Sequence, residues 1–225
     1  MSTVFSPRLD ILPDAQRRLW PELAQTPEDF TLYGGTAIAL RLGHRHSVDF
    51  DFFALASTFE PIILLQRVPY LRDSVVRQSA ANTLSVTVDR GDPVQLSFFG
   101  GLGLGQVAPV GVAEGPRLKI AALIDLAGMK AAVVTQRAEL RDYLDIHALM
   151  TEANITLPEM LAAGTIIYGT QFSPLLSLKA IAYHDDAALA ELPKNVRHDL
   201  IEAVKATNPQ RMPALSAVRR YEAKP

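Results

Sequence analysis

Cysteine is absent from the 225 residues. Disulfides and thiolate-bound metal are therefore excluded, and a reducing compartment fits. A surplus of either charge is missing too: 22 Lys and Arg stand against 24 Asp and Glu, a formal net charge of -2. That excludes whole-surface attraction to nucleic acid and leaves any such contact to a local patch. No apolar run approaches a membrane span. The opening residues MSTVFSPRLDILPD place charges and prolines where a signal peptide needs an apolar stretch. A cytoplasmic location and no membrane partner are expected. Internal repeats and low-complexity tracts are also lacking. What is present is a globular composition, 48% hydrophobic and 20% charged, enough for a sizeable core without wholesale disorder.

The elements change character along the chain. Leu9, Leu12, Leu19 and Leu23 recur at helical spacing and predict a helix from about 8 to 24, with Pro13 and Pro21 blurring its ends. Phe30–Tyr33 is a short strand, and Thr36–Leu42 a helix entered from a Gly-Gly turn and stopped by Gly43. Ser47–Phe53 alternates, which predicts a strand with Val48, Phe50 and Phe52 on one face and Asp49 and Asp51 on the other. A short helix over Glu60–Tyr70 follows, then strands at Ser74–Ser79, Thr83–Asp89 and Val94–Phe99. The last two are joined by the Arg90-Gly91-Asp92 turn as a hairpin. Val107–Ile120 has no clear register, with room for one more strand. From residue 121 only helical patterns remain: Ala121–Thr135, Glu139–Ala153, one opened by Pro158, Leu175–His184 and Val196–Ala206. The expected class is α+β, with a mixed α/β core over 1–120 and a helical region over 121–225 packed on it.

The chemistry concentrates in Gly34-Gly35-Thr36 and Asp49-Phe50-Asp51-Phe52. Glycines let backbone N–H groups approach a phosphate, and a helix opening there adds its N-terminal N–H groups. Carboxylates at i and i+2 of a strand share a face roughly 6.5–7 Å apart, within reach of a shared pair of ions. Magnesium is the natural ion, since it prefers oxygen ligands and keeps phosphate oxygens and water in its shell. Alone, a Gly-Gly pair is ordinarily just a turn and an Asp-x-Asp the solvated side of an edge strand. Together, in strand–turn–helix–strand order, they are far more specific.

The pattern of an apolar residue, two glycines, a gap and then Asp–apolar–Asp–apolar resembles the signature of the DNA polymerase β-like nucleotidyltransferases. Here Tyr33-Gly34-Gly35 is followed by the thirteen residues Thr36–Val48 and then Asp49-Phe50-Asp51-Phe52. The string through Gly43-His44-Arg45-His46-Ser47 is similar to the AbiEii/AbiGii toxin branch. Met129-Lys130, Arg137 and Arg141-Asp142-Tyr143-Leu144-Asp145-Ile146 resemble that branch's second motif group, and Ser177–Asp186 its C-terminal helical part. The resemblance implies a mixed sheet flanked by helices and transfer of a nucleoside monophosphate from a nucleoside triphosphate to an acceptor. In related toxins the acceptor is often the 3′ end of tRNA and the usual partner an antitoxin. It further implies magnesium on Asp49 and Asp51, phosphate contacts at Gly34, Gly35 and Thr36, and site roles for Lys130, Arg137, Arg141, Asp142 and Asp145.

On an unbroken helix Lys130, Arg137 and Arg141 would share one face and could hold a triphosphate, or simply form a solvated helix surface. Asp145 follows Arg141 by four and would orient it. Asp142 would point elsewhere, giving the two acids different jobs. Ser47 shares the face of Asp49 and is placed for phosphate contact or modification, or is an ordinary edge serine. Arg41, His44, Arg45 and His46 form a small basic group that reads foremost as a solvated turn and secondarily as an RNA contact. Their spacing argues against zinc. Gly100–Gly105 lacks the strand–GxGxxG–helix context of a dinucleotide loop. Many polymerase β-like enzymes carry a third carboxylate on a later strand, where this chain has Ser97. Either Asp142 or Asp145 replaces it, or the ions alone activate the acceptor, or the chain binds nucleotide without transferring it. A phosphoryl transfer to a protein partner would use the same carboxylates.

Overall fold

The computed structural model describes residues 3–221. The chain divides into two compact units, one of residues 1–103 and 109–121, the other of residues 104–108 and 122–225.

The first unit carries β1 (Val4–Phe5), α1 (Asp14–Leu19), β2 (Thr31–Tyr33), α2 (Gly34–Leu42) and β3 (Phe50–Ala54). It continues with α3 (Pro61–Arg67), β4 (Val75–Ala80), β5 (Thr83–Asp89), β6 (Pro93–Gly100), β7 (Gly111–Ala113) and β8 (Lys119–Ile120). One eight-stranded mixed sheet runs β1-β7-β8-β2-β3-β6-β5-β4. β3 pairs parallel with β6 and antiparallel with β2, which puts the Asp-x-Asp strand in the middle of the sheet. Residues opposite each other across strands share a face. Leu32, Phe52, Phe98 and Leu84 form one such row, every member fully buried. Phe52 stacks on Phe98 at 5.0 Å. Burying each of these side chains contributes about 1.5–3 kcal/mol, so this row fixes the register. The next row, Tyr33, Asp51, Ser97, Ser85 and Gln78, faces the other way and is polar beyond the buried Tyr33 ring.

Several expectations are corrected. The helix over 8–24 is three pieces: a 3-10 turn at Leu9–Ile11, α1, and a 3-10 stretch at Trp20–Gln25. Pro13 and Pro21 lack the N–H a continuous helix needs, so the chain restarts at each. The helix from Glu60 ends at Arg67, because Pro69 cannot continue it and a short 3-10 turn follows. Val48 does not join the buried face: it is 47% exposed, and the strand begins only at Phe50. The stretch with no clear register holds two short strands, β7 and β8, paired antiparallel. The hairpin stands as read, with β5 and β6 in register from Thr83–Phe99 to Asp89–Pro93. Its turn is pinned by Arg90, whose guanidinium donates to both Glu22 oxygens at 2.6 and 2.7 Å.

The second unit contains α4 (Leu123–Val133), α5 (Leu140–Thr151), α6 (Leu157–Tyr168), α7 (Pro174–Ala182) and α8 (Lys194–Ala206). Every residue of α4 from Asp125 to Ala132 is buried, so it is the central helix of this unit, packed by α5, α6 and α7. Small residues set the α4–α6 crossing: a Cβ on Gly128 would lie 2.7 Å from the backbone N of Gly164. A capping box of Thr156 and Glu159 starts α6. Among the described residues no helix is long and apolar enough to cross a membrane.

Candidate active site

In the first unit the chain leaves β2 and turns into α2 with no intervening loop. Gly34 makes that turn at φ +74°, the left-handed region that favours glycine. A second constraint acts there: a Cβ on Gly34 would sit 2.6 Å from Oδ2 of Asp51. The Asp51 carboxylate therefore lies against the backbone at the mouth of α2. The N-cap residue Tyr33 makes no side-chain capping bond to that helix N-terminus. Gly35 follows in the first turn and Gly43 ends the helix at φ +77°.

Thr36 and Ser47 are buried, at 2% and 7% exposure. The Thr36 hydroxyl lies 2.7 Å from Ser47 Oγ and also donates to the carbonyl of Asp49. Both hydroxyls thus tie the start of α2 to the segment that delivers Asp49. That segment is held from outside as well, since Gln16 Nε2 donates to the Val48 carbonyl at 2.8 Å and His46 Nδ1 lies 3.0 Å from the Ile11 carbonyl. Asp49 and Asp51 themselves are half-buried. Arg41, expected in a solvated turn, is largely buried: its guanidinium lies 4.1 Å over the Phe5 ring and donates to the Ile120 carbonyl at 3.3 Å. Burial holds its pKa below the usual arginine value.

On the same face Ser97 pairs in register with Asp51, and Ser85 Oγ donates to Ser97 Oγ at 3.3 Å. Ser85 escaped the reading of the sequence, because only the β5–β6 register reveals it as the neighbour of Ser97.

The second unit holds the other constellation. Lys130 on α4 is 6% exposed, and Asp142 and Asp145 on α5 are fully buried. The Lys130 ammonium lies 2.5 Å from Asp142 Oδ1 and 2.7 Å from Asp145 Oδ2. Arg137 Nε donates to the other Asp142 oxygen at 3.0 Å, and Arg137 and Arg141 flank Glu139 at 3.2 and 2.6 Å. This corrects two expectations. Lys130, Arg137 and Arg141 do not share a helical face, because α4 ends at Val133 and α5 begins at Leu140. The two acids do not diverge: three residues apart on α5, they converge on one ammonium. Buried charges demand pairing, and two carboxylates against Lys130 and Arg137 balance formally.

Asp125 on α4 was not singled out by any motif. It is 1% exposed and accepts from the backbone N–H groups of Val107 and Ala108 at 2.6 and 3.0 Å. Burial pushes its carboxyl up to about 6 despite these two donors.

Comparison with known proteins shows the family and the fold. The model of the family described as nucleotidyl transferase AbiEii toxin, type IV toxin–antitoxin system, matches residues 18–220. An uncharacterised protein of Aquifex aeolicus (strain VF5) is 29% identical over 167 residues, 71% of this chain and 75% of that protein. Two solved structures share the fold. One, an H. pylori protein assigned as a nucleotidyltransferase, has a TM-score of 0.52 at 23% identity, covering 85% of this chain and 90% of the other. The second, MenT4, a nucleotidyltransferase toxin of Mycobacterium tuberculosis H37Rv, has a TM-score of 0.54 at 16% identity, covering 87% and 83%.

Proposed function

The chain belongs to the AbiEii nucleotidyl transferase toxin family, and from that premise we propose that it moves a nucleoside monophosphate from a nucleoside triphosphate to an RNA acceptor, the 3′ end of tRNA first among candidates. The observation that carries this reading is the Asp51 carboxylate lying against Gly34 at the start of α2. Phosphate-binding N–H groups and a metal-binding carboxylate belong together in nucleotidyl transfer.

Asp49 and Asp51 fit magnesium: both are half-buried oxygen donors, the class this ion prefers. Among the described residues no group of three or more His, Cys, Asp or Glu is gathered to hold an ion. An ion on these two acids would therefore complete its shell with phosphate oxygens and water. When bound it neutralises phosphate charge and lowers the pKa of the attacking hydroxyl. The N–H groups of Gly34 and Gly35 hold phosphate, while Thr36 and Ser47 keep Asp49 in place. In the second unit Arg137 and Arg141, whose side chains are 46% and 48% exposed, are the candidates for phosphate contact. Asp142 and Asp145 hold Lys130 beside them. In the transfer the acceptor oxygen bonds to the α-phosphorus and the bond to the bridging oxygen breaks. Pyrophosphate leaves with the electron pair, and the hydroxyl proton passes to water. An antitoxin is the protein partner that the family description implies.

The test is incubation of the purified protein with labelled triphosphates, magnesium and total tRNA. Label in RNA that disappears in Asp49→Ala supports the reading. No transfer to any acceptor, together with no nucleotide binding, would sink it. Ser97 in register with Asp51 favours a second reading, a module that binds nucleotide without transferring it. Calorimetry separates the two. Nucleotide binding unchanged by removal of magnesium and by Asp51→Ala, with no turnover, selects the module.

A further inference from the structure

We propose that Ser97, braced by Ser85, receives the sugar hydroxyl of the acceptor and holds it for attack without taking its proton. This rests on the nucleotidyl-transfer reading above and names the group that handles the second substrate.

The geometry starts from the parallel pairing of β3 and β6. Asp51 and Ser97 are partners in it, so their side chains stand side by side on one face, about 4.8 Å apart at the backbone. Ser97 is 5% exposed and accepts a hydrogen bond from Ser85. A serine hydroxyl has two lone pairs and one proton. The bond from Ser85, at 3.3 Å, uses one lone pair and leaves the second for an incoming hydroxyl. The row does not stop there. Gln78 is the next partner, on the exposed edge strand β4, so uncharged hydrogen-bonding groups lead from Asp51 to the open edge of the sheet. Such a row suits a neutral, hydroxyl-bearing sugar. An unassisted serine is too weak a base to deprotonate that sugar at neutral pH. Ser97 therefore positions the attacking oxygen, and the proton leaves to water as the bond to phosphorus forms. A pair that only satisfied its own hydrogen bonds would matter to stability and to nothing else.

Steady-state kinetics with labelled triphosphate and total tRNA decide this, alongside calorimetric magnesium–nucleotide affinity and thermal unfolding. Ser97→Ala is expected to raise the acceptor KM about tenfold, the size of one lost hydrogen bond, with kcat and nucleotide Kd within about twofold of the parent. Ser97→Thr restores the acceptor KM, and Ser85→Ala raises it about threefold. Ser97→Asp adds a limb to the pH–rate profile that the parent lacks, because a group that can take the proton now stands there. Transfer by the parent protein with an unchanged acceptor KM in Ser97→Ala overturns this proposal alone. A loss in nucleotide affinity equal to the loss for acceptor overturns it as well. No transfer by the parent to any RNA overturns the nucleotidyl-transfer reading and this one with it. Should Ser97→Ala not fold, Ser85→Ala carries the decision, and an acceptor KM unchanged there counts against the proposal.

Discussion

Two pairs of acids, Asp49 with Asp51 and Asp142 with Asp145, are built to opposite specifications. Asp49 and Asp51 stand at the start of a central strand, half-buried, with one carboxylate against the glycine that opens a helix. Asp142 and Asp145 lie on one face of a helix, fully buried and both closed on Lys130. The first pair keeps some access to solvent and so can exchange water for a ligand. The second has been desolvated, and its charge is balanced by its own chain. Acid pairs of similar look in sequence thus separate into one that stays open to solvent and one that is closed on an ammonium of its own chain.

The largest expected effect breaks the second pair. Lys130→Ala removes the ammonium that Asp142 and Asp145 share, and removal of one partner from a buried ion pair costs about 3–5 kcal/mol. Urea unfolding at neutral pH measures it. A loss below about 1 kcal/mol, combined with loss of nucleotide binding, would erase the contrast and make Lys130 a ligand contact like the first pair.

The complementary change strikes the first pair. Asp51→Asn keeps the shape and removes the charge. Transfer should fall at least about a hundredfold, roughly 2.7 kcal/mol in the barrier, while urea stability changes by less than about 1 kcal/mol. Parallel loss of folding and activity in this variant would mean that Asp51 is structural after all.

This difference also marks how far the sequence could be read. Gly34, Gly35, Asp49 and Asp51 were legible because a strand–turn–helix–strand path fixes them locally: period-two alternation sets the face and glycine sets the turn. The sheet core was legible for the same reason, as Phe50, Phe52 and Phe98 sit where alternation puts them. The convergence on Lys130 was not. It depends on the break between Val133 and Leu140, and six residues of irregular chain rotate the second helix by an amount that no periodicity reports. Prolines were visible as disturbances of the first helix, yet whether they kinked or divided it depended on packing around Leu12, Leu19 and Leu23, all buried. Ser97 was found only as a gap in a family pattern. Its partner Ser85 needed the register.

Asp125 tests the buried side of the comparison by pH. Its folded carboxyl titrates at about 6, above the unfolded value of 3.8. The folded state therefore binds the extra proton between these values, and the destabilisation from the buried charge grows as pH rises through that window. Asp125→Asn removes the proton. Unfolding free energies measured at pH 4 and pH 7 should show the parent losing about 1–3 kcal/mol relative to the variant on going up. A difference that does not vary with pH would mean that the two backbone donors cancel the effect of burial.

The smallest effect sharpens the exposed side. Thr36→Val keeps the volume of the side chain and removes the hydroxyl that joins Ser47 to the Asp49 carbonyl. Leaving the buried Ser47 hydroxyl short of a partner costs about 1 kcal/mol by urea unfolding. The more telling readout is the split between the two acids. Asp51 is positioned by its strand and by Gly34, whereas Asp49 precedes the strand and depends on Thr36. Magnesium should therefore be needed at higher concentration for half-maximal nucleotide binding in Thr36→Val, by about threefold, and Thr36→Ser should restore it. An unchanged magnesium requirement would show that β3 alone holds both acids in place, and that the hydroxyl pair serves only the fold.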